Sequence, residues 1–91
     1  MKMQKTIKHE KTGATLKIEA NFSPSESGGF INLVFTHAGT SKFVQVSDLS
    51  TYAEVAEAIQ QQEARFFELE DAKAAQIARN IDQLKTLGFS E

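Results

Sequence analysis

Catalysis by a small protein usually needs a nucleophile, a base or a set of metal ligands at a defined spacing. The chain has 91 residues, two histidines, His9 and His37, and no cysteine. The lack of cysteine removes thiol chemistry and thiolate metal sites. Neither histidine belongs to an H-x-x-x-H or H-E-x-x-H pattern, the spacings that indicate a zinc site on a helix. We expect both histidines, near the ends of predicted strands, to be surface residues.

Acidic side chains in the second half of the chain could be read as paired carboxylates. Because a helix rich in glutamate produces such spacings by chance, we expect a solvated face rather than a general acid and base. The Ser-rich residues 23–27 precede a strand rather than a helix, which argues against a phosphate-binding loop. The sequence therefore predicts a protein that is not an enzyme, with no catalytic residues, no cofactor and no metal site. The acids considered are Glu54, Glu57, Glu63, Glu68, Glu70 and Asp71.

The composition is that of one small globular domain spanning residues 1–91. Hydrophobic residues make up 41% of the chain and charged residues 24%, so the sequence is too apolar for a disordered protein. The N-terminal lysines are followed by no apolar run, and no stretch approaches the ~20 apolar residues of a membrane span. Together with the missing cysteine, these features predict a soluble cytoplasmic protein that does not bind membranes.

The first half of the chain, residues 1–47, is predicted to form four antiparallel strands. Apolar residues alternate with polar ones from Ala14 to Phe22, the pattern of a half-buried strand. A weaker alternation precedes it, and Gly13 suits the turn between the two. Residues 23–29 are rich in Ser and Gly and predict a mobile loop. Two more strands follow, and no connection is long enough for a parallel crossover, so the fold class is α+β with an antiparallel β-meander.

Residues 50–87 are predicted to be helical. No Gly or Pro occurs between Ser50 and Gly88, and good helix formers dominate. Thr51 and Glu54 have the spacing of a capping box, and Gly88 suits the left-handed position after the last turn. Apolar residues fall on one helical stripe, which polar residues interrupt at Gln62, Glu63, Glu70 and Lys73. The stripe consists of Tyr52, Val55, Ile59, Phe66, Ile77, Ile81 and Leu84.

The length of this helical region raises a choice between two arrangements. One continuous helix would be ~55 Å long, whereas a compact domain of this size has a radius of gyration of ~12 Å. Either the helix bends near residues 62–73 and returns, or it stays long and its distal half packs against another chain. No turn signal marks a bend, so we favour a long helix and a homodimer. The candidate interface comprises Phe66, Ile77, Ile81 and Leu84.

Charge is distributed unevenly along the chain. Residues 1–45 have six lysines against three glutamates, a net charge of +3, whereas residues 46–91 have four basic and nine acidic residues, a net charge of −5. The asymmetry is explained either by attraction between sheet and helix or by a sheet face that meets an anion. Strand parity places lysines and two aromatic rings on the face away from the helix, a combination that single-stranded nucleic acids can stack on. The candidate residues are Lys8, Lys17, Phe30 and Phe43.

The order of elements, a four-stranded meander followed by a helix, resembles that of the Whirly proteins and of the purine-rich-element-binding repeats. The resemblance covers residues 2–62, concerns topology and transfers no site residue. It implies binding of single-stranded nucleic acid on the sheet. Because arginine, the side chain best suited to phosphate, is absent from the first half, we rank this second. The leading hypothesis is a non-enzymatic interaction module that binds a protein partner, or a second copy of itself, through its helical region.

Overall fold

A computed structural model describes residues 1–23 and 28–91 of the chain. Four strands form one antiparallel sheet in the order β1-β2-β3-β4, and one helix follows them. The predicted α+β architecture with a β-meander is therefore confirmed. Of the loop predicted over residues 23–29, positions 24–27 lie outside the described residues. The strands are β1 (Lys2–Lys8), β2 (Thr15–Ser23), β3 (Phe30–His37) and β4 (Thr40–Ser47), and the helix is α1 (Tyr52–Thr86).

The hydrophobic core lies between one face of the sheet and the first half of α1. Alternation along β2 and β3 turns every second side chain towards the helix, as the sequence pattern predicts. Phe22, expected on this face, lies near the end of β2 and is more than a third exposed. From the helix, Phe66 is the apolar side chain buried at the centre of the contact. The buried core comprises Leu16, Ile18, Ile31, Leu33, Phe35 and Phe66.

Two tight turns close the end of the sheet that faces the middle of α1. The connection from β1 to β2 uses Gly13 with φ of 75°, and the connection from β3 to β4 uses Ala38 and Gly39 with φ of 52° and 79°. A pair of residues with positive φ matches the right-handed twist of the flanking strands. His9, Thr12 and His37 therefore reach the helix from the same end of the sheet.

Helix α1 is one uninterrupted element with a defined structure at each end. The Thr51 side chain accepts a hydrogen bond from the Glu54 amide, so of the two candidates, Ser50 and Thr51, the N-cap is Thr51. At the other end the amides of Gly88 and Phe89 donate to the carbonyls of Lys85 and Leu84, both at 3.1 Å. This pair of bonds, with Gly88 at φ of 100°, is a Schellman motif. In the part of the chain that the structure describes, no helix is both long and apolar enough to cross a membrane.

The helix extends well beyond the sheet. The molecule measures 67 × 20 × 16 Å and has a radius of gyration of 18.3 Å, half as large again as expected for a compact domain of this length. A bend and return near residues 62–73, the alternative left open by the sequence, does not occur. The polar contacts from the sheet end reach α1 as far as Asp71, and residues 75–86 are all exposed, so the end of α1 projects from the body of the domain.

Candidate functional site

A buried carboxylate stands where the end of the sheet meets the middle of α1. Glu70 is 1% exposed and lies one turn beyond Phe66. Its Oε1 accepts a hydrogen bond of 2.8 Å from the Thr12 hydroxyl. Its Oε2 lies 2.9 Å from both His37 Nε2 and Lys73 Nζ. One carboxylate thus joins both turns of the sheet to the helix.

These donors stabilise the charged form of Glu70. The hydrogen bond from Lys73 is the largest cause, and those from Thr12 and His37 add to it, while burial acts in the opposite direction. The pKa of Glu70 is lowered from 4.5 to about 2. The carboxylate is therefore ionised throughout the neutral range, and a buried ionised group must keep its donors to avoid a large desolvation cost.

His9 makes the second polar contact between sheet and helix. The residue is 4% exposed, and its Nε2 lies 2.7 Å from Asp71 Oδ1. Its Nδ1 faces the Thr12 amide at 3.2 Å, and an amide N–H can only donate. Nδ1 is therefore the acceptor and Nε2 carries the proton that is donated to Asp71. The ring also packs beside Phe67, with centroids 6.0 Å apart.

The expectation that both histidines are surface residues is wrong, as is the assignment of Glu70 to a solvated face. His9 is buried, and His37 is partly buried with its ring edge-on to Phe66 at 4.9 Å. The long helix covers strand ends that would be exposed in a shorter protein. One sequence signal could have identified the site. Glu70 interrupts the apolar stripe in phase with it, which is the position of a side chain that faces the sheet.

The arrangement suits a structural clamp better than a catalytic centre. Both oxygens of Glu70 already accept hydrogen bonds from protein groups, so no free acceptor faces a cleft. In residues 1–23 and 28–91, no group of three or more His, Asp or Glu side chains could hold a metal ion. What the cluster can do is fix the direction in which α1 leaves the sheet.

The candidate nucleic-acid residues are spread along the outer face of the sheet. Pairing places Glu19, Val34 and Phe43 in one row across the strands, and Lys17 in the next row. Lys8 lies one row further, whereas Phe30 lies at the opposite end of the face. Phe30 lies four positions along β3 from Val34, which pairs with Phe43, a distance of about 13 Å at 3.3 Å per residue. The structure brings Lys17 near Phe43 and leaves Phe30 apart from both.

The positive charge of the lysines on this outer face is partly neutralised by a carboxylate on the same face. Lys17 Nζ lies 2.9 Å from Glu19 Oε1, and Lys2 Nζ lies 3.1 Å from Glu19 Oε2. Hydrogen bonds from Lys17 and then Lys2 lower the pKa of Glu19. An anion that approached Lys17 would have to compete with this carboxylate. The rings of Phe30 and Phe43 are nevertheless about half and three-quarters exposed.

The third candidate surface is the part of α1 that leaves the sheet. We call Ala74, Ile77, Ile81 and Leu84 the distal stripe. At 100° per residue, these four lie within about 40° of Glu70, so the distal stripe continues the face that packs on the sheet. Ile77 is 52% exposed, and Ile81 and Leu84 are each 45% exposed. Phe66, the fourth residue of the predicted interface, belongs instead to the core of its own domain.

In residues 74–86, the side of the helix opposite the distal stripe is polar, and its side chains form hydrogen bonds with one another. Arg79 donates to Gln76 at 2.7 Å, and Gln76 donates to Asn80 at 2.9 Å. Residues 74–86 are therefore amphipathic, with a polar back and an apolar front that stays about half exposed. At the end of this front, Phe89 lines a cleft with Ile81 and Leu84.

Comparison of the chain with protein-family models, with curated proteins and with solved structures returned no match.

Proposed function

We propose that this protein is a non-enzymatic interaction module that binds a helix of a protein partner along its distal stripe. One observation carries the proposal. The apolar face of α1 continues for about 13 residues, or ~20 Å, beyond the sheet that covers its first half. A contiguous exposed apolar face on an otherwise ordinary domain is characteristic of an interface.

The construction of the helix supports a binding role for this segment. An isolated helix of this length is marginal in water, because nucleation is costly and few hydrogen bonds repay it. Here the segment continues a helix that is anchored by Phe66 and Glu70 and ends in a Schellman motif. Much of the ordering cost is therefore met before a partner arrives, which favours tight docking.

Site-specific photocrosslinking tests the proposal. A photoreactive phenylalanine analogue replaces Ile81 in one variant of the full chain and Gln83 in a control variant, and both are expressed in cells and irradiated. Ile81 lies on the distal stripe, whereas Gln83 lies two residues away on the polar back. We expect protein adducts from position 81 and few from position 83. Equal labelling at the two positions, or none at position 81, would refute docking along the stripe.

Binding of single-stranded nucleic acid on the outer sheet face is the alternative function. It is favoured by the exposed ring of Phe43 one row from Lys17. Fluorescence anisotropy with a mixed-sequence oligonucleotide tests it. Binding should weaken steeply with salt, because the counterions that binding releases gain less entropy when the bulk salt concentration is high. Phe43→Ala and Lys17→Glu should each reduce affinity, and unchanged affinity in both variants would exclude this face.

A further inference from the structure

We propose that the occupant of the distal stripe is a second copy of this chain, with the two helices antiparallel. This inference rests on the proposed docking function and names its partner. The spacing of the stripe, three then four then three residues, is that of alternating a and d positions in a coiled coil. An antiparallel pair centred at residue 79 places Ile77 of each copy against Ile81 of the other. The same register places Ala74 against Leu84, a small side chain against a large one.

The position of the sheet selects the antiparallel arrangement. Phe66 and Glu70 face the sheet, and the distal stripe lies on that same face of α1. In a parallel, in-register pair, both sheets would occupy the seam at the same level, and the two bodies would collide. In an antiparallel pair, the sheets lie at opposite ends, and each distal helix occupies the free length beyond the other copy's sheet.

The length of the helix agrees with this register. A centre at residue 79 puts residue 86 of one copy level with residue 72 of the other. Helix α1 ends at Thr86, and the polar contacts from the sheet end of its own domain reach along α1 as far as Asp71, which meets His9. Each helix therefore stops where the second copy's sheet begins, and beyond Gly88 the residues 89–91 line a cleft with Ile81 and Leu84 of their own helix.

Charge complementarity is the third argument. Asp71 and Lys85 lie on the same flank of the stripe, both at e positions in this register. Antiparallel helices bring e positions together, so Lys85 of each copy meets Asp71 of the other, and two ion pairs form. Asp71 is 69% exposed even while it contacts His9, so it can accept a second donor. A parallel pair would instead place Lys85 beside Asn80, without an opposite charge.

Sedimentation velocity over a range of protein concentrations, from about 5 to 500 µM, tests the stoichiometry. We expect the mass to rise from 10.1 kDa towards twice that value. Ile81→Glu should remain monomeric, because a charge would be buried in the seam. Gln83→Glu adds the same carboxylate on the polar back and should behave as the unmodified protein does.

Failure of this inference can be told apart from failure of the proposed function. A protein that stays monomeric throughout, yet gives adducts with another protein at position 81, excludes the second copy and retains docking. A monomer without adducts excludes both proposals. A dimer that Ile81→Glu leaves intact places the interface elsewhere and overturns the inference.

Disulfide trapping tests the orientation, since the chain has no cysteine of its own. Copies with Ile77→Cys are mixed with longer, tagged copies with Ile81→Cys in a glutathione redox buffer, in which thiols pair according to proximity. The antiparallel register predicts mainly mixed disulfides. A parallel pair predicts disulfides within each variant, and an excess of those products would overturn the inference.

Charge reversal tests the predicted ion pairs. Lys85→Glu should raise the dimer dissociation constant roughly threefold or more, because it places like charges opposite Asp71 twice. Arg79→Glu makes the same change of charge on the polar back of the helix and should leave the constant within about twofold. Equal effects of the two variants would rule out the predicted register.

Discussion

The two halves of α1 follow the same sequence rule and occupy different environments. From Val55 to Phe66 the apolar stripe packs on the sheet, and Phe66 is 3% exposed, whereas Tyr52 at the start of the helix is 88% exposed. Residues 74–86 continue the stripe in phase, yet Ile77, Ile81 and Leu84 remain about half exposed. Amphipathic periodicity thus indicates which face of a helix will be buried without indicating what buries it. In the proximal half the answer is the sheet, and in the distal half we infer a second helix.

The largest expected difference between the two halves is in the free energy of unfolding. Phe66→Ala should cost about 3–5 kcal/mol, because it leaves a cavity in the core between sheet and helix. Ile77→Ala, measured in dilute protein, should change the free energy by no more than about 0.5 kcal/mol. Urea denaturation of both variants measures the contrast. A comparable loss for Ile77→Ala would mean that the distal stripe is already covered in the monomer.

The buried Glu70 should make the free energy of unfolding depend on pH. This dependence arises in the half of α1 that packs on the sheet. Its folded-state pKa is about 2 against 4.5 in the unfolded chain, so the unfolded state binds a proton first on acidification. The stability due to Glu70 is complete above about pH 5 and is lost as the pH falls towards 2. Glu70→Gln should cost about 2 kcal/mol at neutral pH.

Thermal unfolding of the unmodified protein and of Glu70→Gln at several pH values checks this prediction. The difference between the two proteins should shrink below pH 4.5, where the unmodified protein loses the contribution of its carboxylate. Glu68→Gln, at an exposed position two residues away, is the matched control and should show no such convergence. A constant difference between the unmodified protein and Glu70→Gln from pH 7 to pH 2.5 would contradict a stabilising role of the ionised Glu70 carboxylate.

The smallest expected effects concern the two ends of α1. Thr51→Ala removes the N-cap of the half that packs on the sheet and should lower the global free energy of unfolding by about 1 kcal/mol.

Gly88→Ala strains a position with positive φ by roughly 1–2 kcal/mol, but at the end of a projecting helix. We expect faster amide hydrogen exchange over residues 80–86 in Gly88→Ala, with little change in global stability. A global loss in that variant would show that the projecting end is part of the cooperative unit.

Local patterns were enough to predict most of the architecture. Alternation along β2 and β3, the turn at Gly13 and the absence of breakers from Ser50 to Gly88 predict the meander, the helix and both helix ends. These features depend on interactions between residues that are close in sequence or on one repeating period. For the same reason, the sequence indicated one long helix and an apolar stripe longer than the sheet can cover.

The buried hydrogen bonds of Glu70 and His9 between sheet and helix, in contrast, were decided by the tertiary structure. Glu70 meets His37 and Thr12 across 33 and 58 positions, and His9 meets Asp71 across 62. No local pattern encodes such pairs, and burial of an acid or a histidine is tolerated only when distant partners satisfy it. The sequence by itself therefore determined which faces are apolar and the order of the elements. Only packing between sheet and helix determined that Glu70 and His9 are buried and where α1 projects beyond the sheet.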